Sequence, residues 1–254
     1  IGAVVAEYRA AFPSADVLVI DNGSRDRTAE EARAAGARVI EEPRRGKAQA
    51  MQRAFEVADT DLLLMVDGDG SYPAEGARLL VDAQRSSGAD LVTGVRRAAD
   101  GRGVFRPMHQ SGMQLFARAL GLTFGVTPRD LFSGLRLMTW RYYKSTPILS
   151  RGFELELELT IQAIDKSFSM QEVDVPFRER ASGTASKLRT LADGTRILRL
   201  LVVLLRDYKP LAFFGSASAL LVLVGLAAGS LPVLEYIQTS KVLRLPLAVL
   251  AASL

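Results

Sequence analysis

The stretch "LLLMVDGDGSYP", residues 62–73, joins a run of apolar residues to a turn that carries two aspartates, Asp67 and Asp69, one residue apart. The apolar run reads as a buried strand. A carboxylate at the end of such a strand loses hydration and needs a partner. The position is also where open α/β sheets take their ligands, just beyond the carboxyl end of a strand. Two carboxylates there suit a divalent cation, since Mg²⁺ is held by one or two carboxylates with substrate phosphates completing its shell. Two other loops fail on the sequence. A calcium loop starting at Asp67 would put Tyr72 where glycine is required and Arg78 where a glutamate is required. A G-x-G-x-x-G loop meets Pro73 at its third glycine. Taken alone, the D-x-D also reads as an ordinary polar turn.

Outward from this stretch the first hundred residues alternate between two periods. "ADVLVI" (15–20), "ARVI" (37–40), "DLLLMV" (61–66) and "ADLVTG" (89–94) read as buried strands bounded by Gly, Asp or Pro. "RDRTAEEARAAG" (25–36), "GKAQAMQRAFEVA" (46–58) and "AEGARLLVDAQRSSG" (74–88) read as helices, as do the opening residues. The alternation predicts an α/β domain with a mostly parallel central sheet and helices on both faces. Further on, "QLFARALGLTFG" (114–125) predicts a helix, and "LRLMTW" (135–140) a strand with Trp140 in the core. "FELELELTIQAIDK" (153–166) has strand-like alternation but helix-like composition and is taken as a helix, followed by a strand in "SFSMQEVDVPF" (167–177).

The chain has 254 residues, 48% hydrophobic, a net charge of +4 and no cysteine. Without cysteine, disulfides and thiolate metal sites are excluded. The basic balance suits phosphate or a membrane surface. Nucleic-acid binding has only that charge behind it, because the arginines follow no groove-reading motif. No charged and then apolar leader precedes the first helix, so no signal peptide is expected, and the start at Ile1 suggests a piece of a longer chain.

"KLRTLADGTRILRLLVVLLRDYK" (187–209) is basic along one side and apolar along the other, which predicts an amphipathic membrane-interface helix. Residues 211–234 carry no charge, long enough for a transmembrane span, and "LPLAVLAASL" (245–254) predicts the start of a second. Arg206 and Lys209 before the span place the preceding domain in the cytoplasm, on the inner face of a cell membrane that the chain crosses more than once.

Two more stretches point to a phosphate-bearing ligand. "LVIDNGSRDRT" (18–28) ends a strand on Asp21 and Asn22, which could read a base or ribose or simply shape a turn. "RRGKAQA" (44–50) opens a helix with Gly46 and Lys47, a phosphate-binding arrangement or a solvated basic turn.

Together these motifs resemble the family 2 glycosyltransferases with the GT-A fold, over residues 1–186. "LVIDNGSRDRT" is similar to that family's V-D-D-G-S-x-D-x-T element with Asn22 in place of the second Asp, and "DGDGS" to its D-x-D. "VTGVR" (92–96), "DLFSGLRLM" (130–138) and "RERASGTASKL" (178–188) narrow the resemblance to polyprenyl-phosphate sugar synthases of the dolichyl-phosphate mannose synthase type. Ser71 stands where some members carry a metal-binding Gln, and a strand ending in P-x-x-N-E-E normally precedes the position of Ile1.

The resemblance implies an inverting transfer of sugar from a UDP- or GDP-linked donor to polyprenyl phosphate. Asp67 and Asp69 would hold Mg²⁺ or Mn²⁺. Asp21, Asn22, Lys47, Asp67 and Arg96 would bind the nucleotide sugar. Ser133, Arg180, Ser186 and Lys187, with Arg136 beside them, would bind the acceptor phosphate, with Asp69, Asp130 and Arg136 catalytic and Asp130 orienting Arg136 or contacting the acceptor side. A phosphate acceptor is largely dianionic at neutral pH and needs no base, which leaves the single histidine, His109, a structural role. Glu154 and Glu158 could pair on one helix face as in a hydrolase, with Glu156 pointing elsewhere. Rival readings are a glycan or glycolipid acceptor, or a silent membrane scaffold of the same fold. Homo-oligomer formation is left open.

Overall fold

The computed structural model describes residues 1–98, 121, 125–150, 155–178, 202–203, 206–241 and 244–253. They belong to two compact units, Ile1–Leu191 and Ala192–Leu254. The helix expected at 114–125 and most of that expected at 187–209 fall outside the described residues, as do His109 and Glu154.

The first unit opens with α1 (Gly2–Ala11), β1 (Leu18–Asp21), α2 (Thr28–Ala34), β2 (Arg38–Glu41), α3 (Lys47–Val57), β3 (Leu62–Met65), α4 (Ala74–Ser87) and β4 (Leu91–Ala98). β5 (Arg136–Thr139), α5 (Trp140–Ser145), α6 (Leu155–Asp165) and β6 (Met170–Phe177) follow. The ambiguous 153–166 segment is thus helical where described. All of residues 155–163 are buried, and a helix enclosed on every side shows no apolar stripe.

The strands form a two-stranded sheet, β1–β2, and a four-stranded sheet ordered β3–β5–β4–β6. β1–β2 and β4–β6 are parallel, but β5 runs antiparallel to both its neighbours. The expected mostly parallel sheet is therefore mixed. An apolar run such as "LRLMT" is compatible with either direction, so the pattern could not set it.

Neighbouring residues on a strand face opposite sides of a sheet. Met65, Leu91 and Met138 pack on one face with Phe55 of α3, Tyr142 and Tyr143 of α5, and Leu155 and Leu159 of α6. Val92, Leu137 and Val175 pack on the other with Ala77 and Leu80 of α4 and Tyr8 of α1. The result is a three-layer arrangement.

Strand direction fixes where the chemistry lies. β3 and β4 end on the same edge, because both run opposite to β5. The reversed β5 begins at that edge, so the loop before it, 130–135, arrives there too. Asp67, Arg96, Asp130 and Ser133 are thereby gathered at one rim.

Trp140 corrects its expected core position. The strand stops at Thr139, whose hydroxyl caps α5 by accepting the Tyr142 N–H at 3.3 Å. Trp140 opens that helix, stays 50% exposed, and donates its indole N–H to Asp59 Oδ1 at 3.2 Å.

In the second unit α7 (Pro210–Thr239) is followed by α8 (Leu245–Ser253). α7 has 30 residues and is the one described helix long and apolar enough to cross a membrane. It starts with Pro210 at its first turn, where the missing N–H is tolerated. It runs on through Thr239, past the expected end at 234, so 235–239 is helix rather than loop. A Glu235–Arg244 ion pair of 2.8 Å closes the turn into α8. A Cβ at Gly229 would touch Ala251, the close approach that small residues allow between apolar helices. α8 is apolar along its 9 described residues.

Candidate active site

The turn after β3 is shaped by its own side chains. Ser71 donates both its N–H (3.0 Å) and its hydroxyl (2.5 Å) to Asp69 Oδ1. Ser71 thus orients Asp69 in the position where a further ligand could have stood. Asp67 is held from two sides. Its Oδ1 accepts from Lys47 Nζ at 2.6 Å, and a Cβ on Gly134 would collide with its carboxylate. Glycine at 134 is required for this approach.

Lys47 stands at the first turn of α3. Gly46 before it has φ 133°, a conformation L side chains rarely adopt. Asn22 fixes this entry. Its amide Oδ1 accepts the Gly46 N–H at 2.6 Å, and its Nδ2 donates to the carbonyls of Glu42 (3.0 Å) and Arg44 (2.7 Å). An aspartate could accept but not donate, so the departure at Asn22 has a local reason. Asn22 therefore reaches the site through the backbone of the 42–46 loop. Asp21 accepts the Ser24 N–H at 3.3 Å in the same turn. Glu42 braces the loop against Arg44 with bonds of 2.8 and 2.9 Å, and these hold its carboxyl down to about 2 from an ordinary 4.5.

Lys47 Nζ has a second partner, Glu156 Oε1 at 2.5 Å, on the buried helix α6. Burial pulls the lysine pKa down, but Glu156 and then Asp67 outweigh it and the net shift is upward. Sequence reasoning missed Glu156 as a site residue. In an E-L-E-L-E run enclosed on all sides, only the third dimension distinguishes the glutamates. Glu158 accepts the N–H groups of Leu149 (2.8 Å) and Ser150 (2.9 Å), and Glu154, its expected pair, lies outside the described residues. It thereby shapes the loop before α6.

Arg96 lies on β4, and its guanidinium grips Asp130 with two bonds of 2.7 Å. Fork-to-carboxylate pairing of this kind is the strong form of the ion pair. Burial pulls the Arg96 pKa down, but Asp130 outweighs it and the balance is upward; Tyr72 and then Asp67 add to the rise. Asp130 was expected to orient Arg136. Its hydrogen bonds go to Arg96 and to the backbone of Phe132, while it acts on Arg136 as a neighbouring charge.

Arg136 is fully buried and donates to the carbonyls of Ser133 and Leu131 and to Thr160 Oγ1, all at 2.9–3.0 Å. Burial lowers its pKa. Ser133 is equally enclosed, with its hydroxyl 3.4 Å from Tyr72 Oη. Arg136 and Ser133, both expected on the acceptor side, are thus enclosed by protein here. Both shape the 130–135 loop from behind. Arg180, Ser186 and Lys187 lie outside the described residues.

Tyr72 was also missed. It is 2% exposed, and its hydroxyl accepts the Gly134 N–H at 2.9 Å while its carbonyl accepts from Tyr8 Oη at 3.2 Å. Its ring meets Phe177 edge-on at 5.1 Å, and burial raises its phenol pKa. The tyrosine in "DGDGSY" was the available signal, since a buried Tyr needs a partner for its hydroxyl.

Among the described residues no group of three or more His, Cys, Asp or Glu could hold a metal ion alone. The donor set at Asp67 and Asp69 is two hard carboxylates beside a glycine cradle. That fits Mg²⁺ or Mn²⁺ completed by phosphate and water, and not a self-sufficient cage.

Residues 3–142, more than half of the chain, match the family model described as glycosyl transferase family 2. The chain belongs to this family. Like it in sequence is glycosyltransferase AglJ of Haloferax volcanii, 31% identical over 93% of this chain and 78% of that one. A dolichyl-phosphate hexose transferase of the same organism is 32% identical over 80% of this chain and 86% of its own length. Glucosyl-3-phosphoglycerate synthase of Mycobacterium tuberculosis, solved with Mn²⁺ and uridine-diphosphate-glucose, superposes with a TM-score of 0.61. At 21% identity, over 82% of this chain and 75% of that one, it shows the GT-A fold of this family 2 glycosyltransferase.

Proposed function

We propose that this family 2 glycosyltransferase moves a sugar from a nucleotide diphosphate sugar to polyprenyl phosphate at the cytoplasmic face of a membrane, with inversion. The observation that carries the reading is the convergence on one sheet edge of Asp67 and Asp69 with two cations, Lys47 and Arg96. Two carboxylates and flanking cations together suit a metal-bound diphosphate. The Mn²⁺ and UDP-glucose of the solved relative, and the dolichyl phosphate named for the sequence relative, support donor and acceptor classes respectively.

Asp67 and Asp69 would hold Mg²⁺ or Mn²⁺, which supplies charge neutralisation on the departing diphosphate. Lys47 adds a charged donor at the helix start. The Arg96–Asp130 pair fixes the opposite wall, and the buried Arg136 holds the loop that carries Asp130. The acceptor phosphate brings its own negative charge as nucleophile, with Arg180, Ser186 and Lys187 its expected binders. Membrane attachment rests on α7, whose apolar side chains are widely exposed, with Leu211 at 90% and Ile237 at 71%. The expected interfacial helix, the second span and a preceding strand belong to this reading as well. β1 and β3 each have a single strand neighbour among the described residues, which leaves an edge for such a strand.

The test is transfer of radiolabelled sugar from a panel of UDP- and GDP-sugars to polyprenyl phosphate, in membranes, with Mn²⁺ or Mg²⁺ against EDTA. Metal-dependent label in the lipid fraction, absent with Asp69→Ala, is the expected result. Label only in a glycan or glycolipid would move the acceptor, and no transfer from any donor would favour the silent scaffold.

A further inference from the structure

Lys47 is the residue through which two carboxylates of different elements meet. Its ammonium lies 2.6 Å from Asp67 Oδ1 and 2.5 Å from Glu156 Oε1. The Asp67 side chain is 26% exposed and that of Lys47 32%, whereas Glu156 is 7% exposed. One end of the bridge is therefore open to solvent and the other is closed. Asp67 is also the residue assigned to the metal; Lys47 already occupies its Oδ1, and its carboxylate lies so near Gly134 that a Cβ there would collide with it. A cation arriving at Asp67 thus meets a site where an ammonium already stands. Glu156, enclosed in α6, stays available to Lys47 throughout.

We propose that Lys47 is an exchangeable stand-in for the metal. Without metal it neutralises Asp67. When the divalent cation takes Asp67, Lys47 remains anchored on Glu156 and turns its free N–H donors to the diphosphate. Glu156 is the positioning residue that keeps the lysine within reach. The charge count agrees: Asp67, Asp69 and Glu156 carry three formal negative charges and Lys47 one positive, leaving two for one divalent ion. A lysine suits this role better than an arginine, since an ammonium is a compact point charge on a flexible stem and not a rigid fork.

This inference rests on the metal reading of Asp67 and Asp69. The test uses the full chain in detergent or nanodiscs and reads Mn²⁺ by electron paramagnetic resonance, then UDP and GDP in turn on the Mn²⁺-saturated protein. Lys47→Met should bind Mn²⁺ alone about tenfold more tightly, the scale of one charge-assisted bond removed from the competition. The same variant should bind the nucleotide diphosphate more weakly. Arg53→Gln removes a cation of the same helix that pairs with Glu56 and not with Asp67, and should leave Mn²⁺ affinity unchanged. Glu156→Gln, nearly isosteric, gives Lys47 wholly to Asp67 and should weaken Mn²⁺ binding about threefold, on the scale of a partly exposed pair. It carries the test if Lys47→Met does not fold.

Unchanged or weaker Mn²⁺ binding in Lys47→Met overturns the proposal, as does equal tightening in Arg53→Gln, which would mean only a general charge effect. If Lys47→Met does not fold, unchanged or tighter Mn²⁺ binding in Glu156→Gln overturns it. Mn²⁺ binding by the wild type without the sign reversal between metal and nucleotide sinks the exchange alone. No Mn²⁺ binding by any form, with or without nucleotide, sinks the metal reading with it.

Discussion

Two ion pairs sit at the same rim and behave as opposites. Arg96 and Asp130 form a two-bond fork whose side chains are 12% and 4% exposed. Lys47 shares itself between Asp67 and Glu156 and is 32% exposed. Both cations were expected to meet the donor diphosphate. The fork is directional and enclosed, so it serves as a wall. The lysine is a point charge with a half-open partner, so it can be reassigned. One family of charges thus does two jobs, and geometry, not charge, divides them.

The sharpest way to break this contrast is to damage each side and ask what is lost. Asp67→Asn and Asp69→Ala should cut sugar transfer about 10³-fold, in the range of losing one strong transition-state contact, while the melting temperature changes little. A stable protein with unimpaired transfer would remove the metal turn from the chemistry. Asp130→Asn should do the reverse first: it leaves Arg96 enclosed without its charge partner and should cost about 3 kcal/mol of stability, read by denaturant unfolding. If stability holds and only transfer falls, Asp130 is not a wall.

Gly134→Ala tests the join between the two sides. Its Cβ would meet the Asp67 carboxylate, and displacing that group by about 1 Å should cost about 10²-fold in rate. A normal rate with normal Mn²⁺ affinity would show that Asp67 does not depend on this approach. Asn22→Asp removes two donated bonds from the loop that leads to Lys47 and should cost about 1 kcal/mol, again by unfolding. An unchanged or raised stability would show that acceptor function alone suffices there.

The smallest effect is a pH dependence at the same loop. The Glu42 carboxyl is lowered from 4.5 to about 2 by Arg44. Its contribution is present above pH 4.5 and is lost only as pH falls through about 2. Carboxyl chemical shifts of Glu42 against pH should show the low midpoint, and Arg44→Gln should return it toward 4.5. A midpoint near 4.5 in the wild type would dissolve the clamp.

Much of this was legible from residues alone. The apolar runs bounded by Gly, Asp and Pro mark β1–β4, and the DGDG turn lies where its position after β3 requires. Three things were not legible, each for a physical reason. The direction of β5 leaves no trace in a short apolar run. The pairing of Arg96 with Asp130, residues far apart in the chain, follows from that direction. Glu156 faces Lys47 from a helix buried on all sides, so no amphipathic pattern singles it out. The full burial of Arg136, which braces the loop before β5, was not legible either, because the motif names the residue and not its enclosure.

Tyr72 has one more consequence. Turns rich in glycine ordinarily fray, and their amides exchange with solvent readily. Here the hydroxyl of a buried residue in that turn accepts the Gly134 amide, its carbonyl is tied to α1, and its ring is wedged against β6. The turn cannot open by itself and inherits the opening free energy of the sheet beneath it. The Gly134 amide should therefore rank among the slowest-exchanging protons of the molecule, and its protection would report on the integrity of the whole rim.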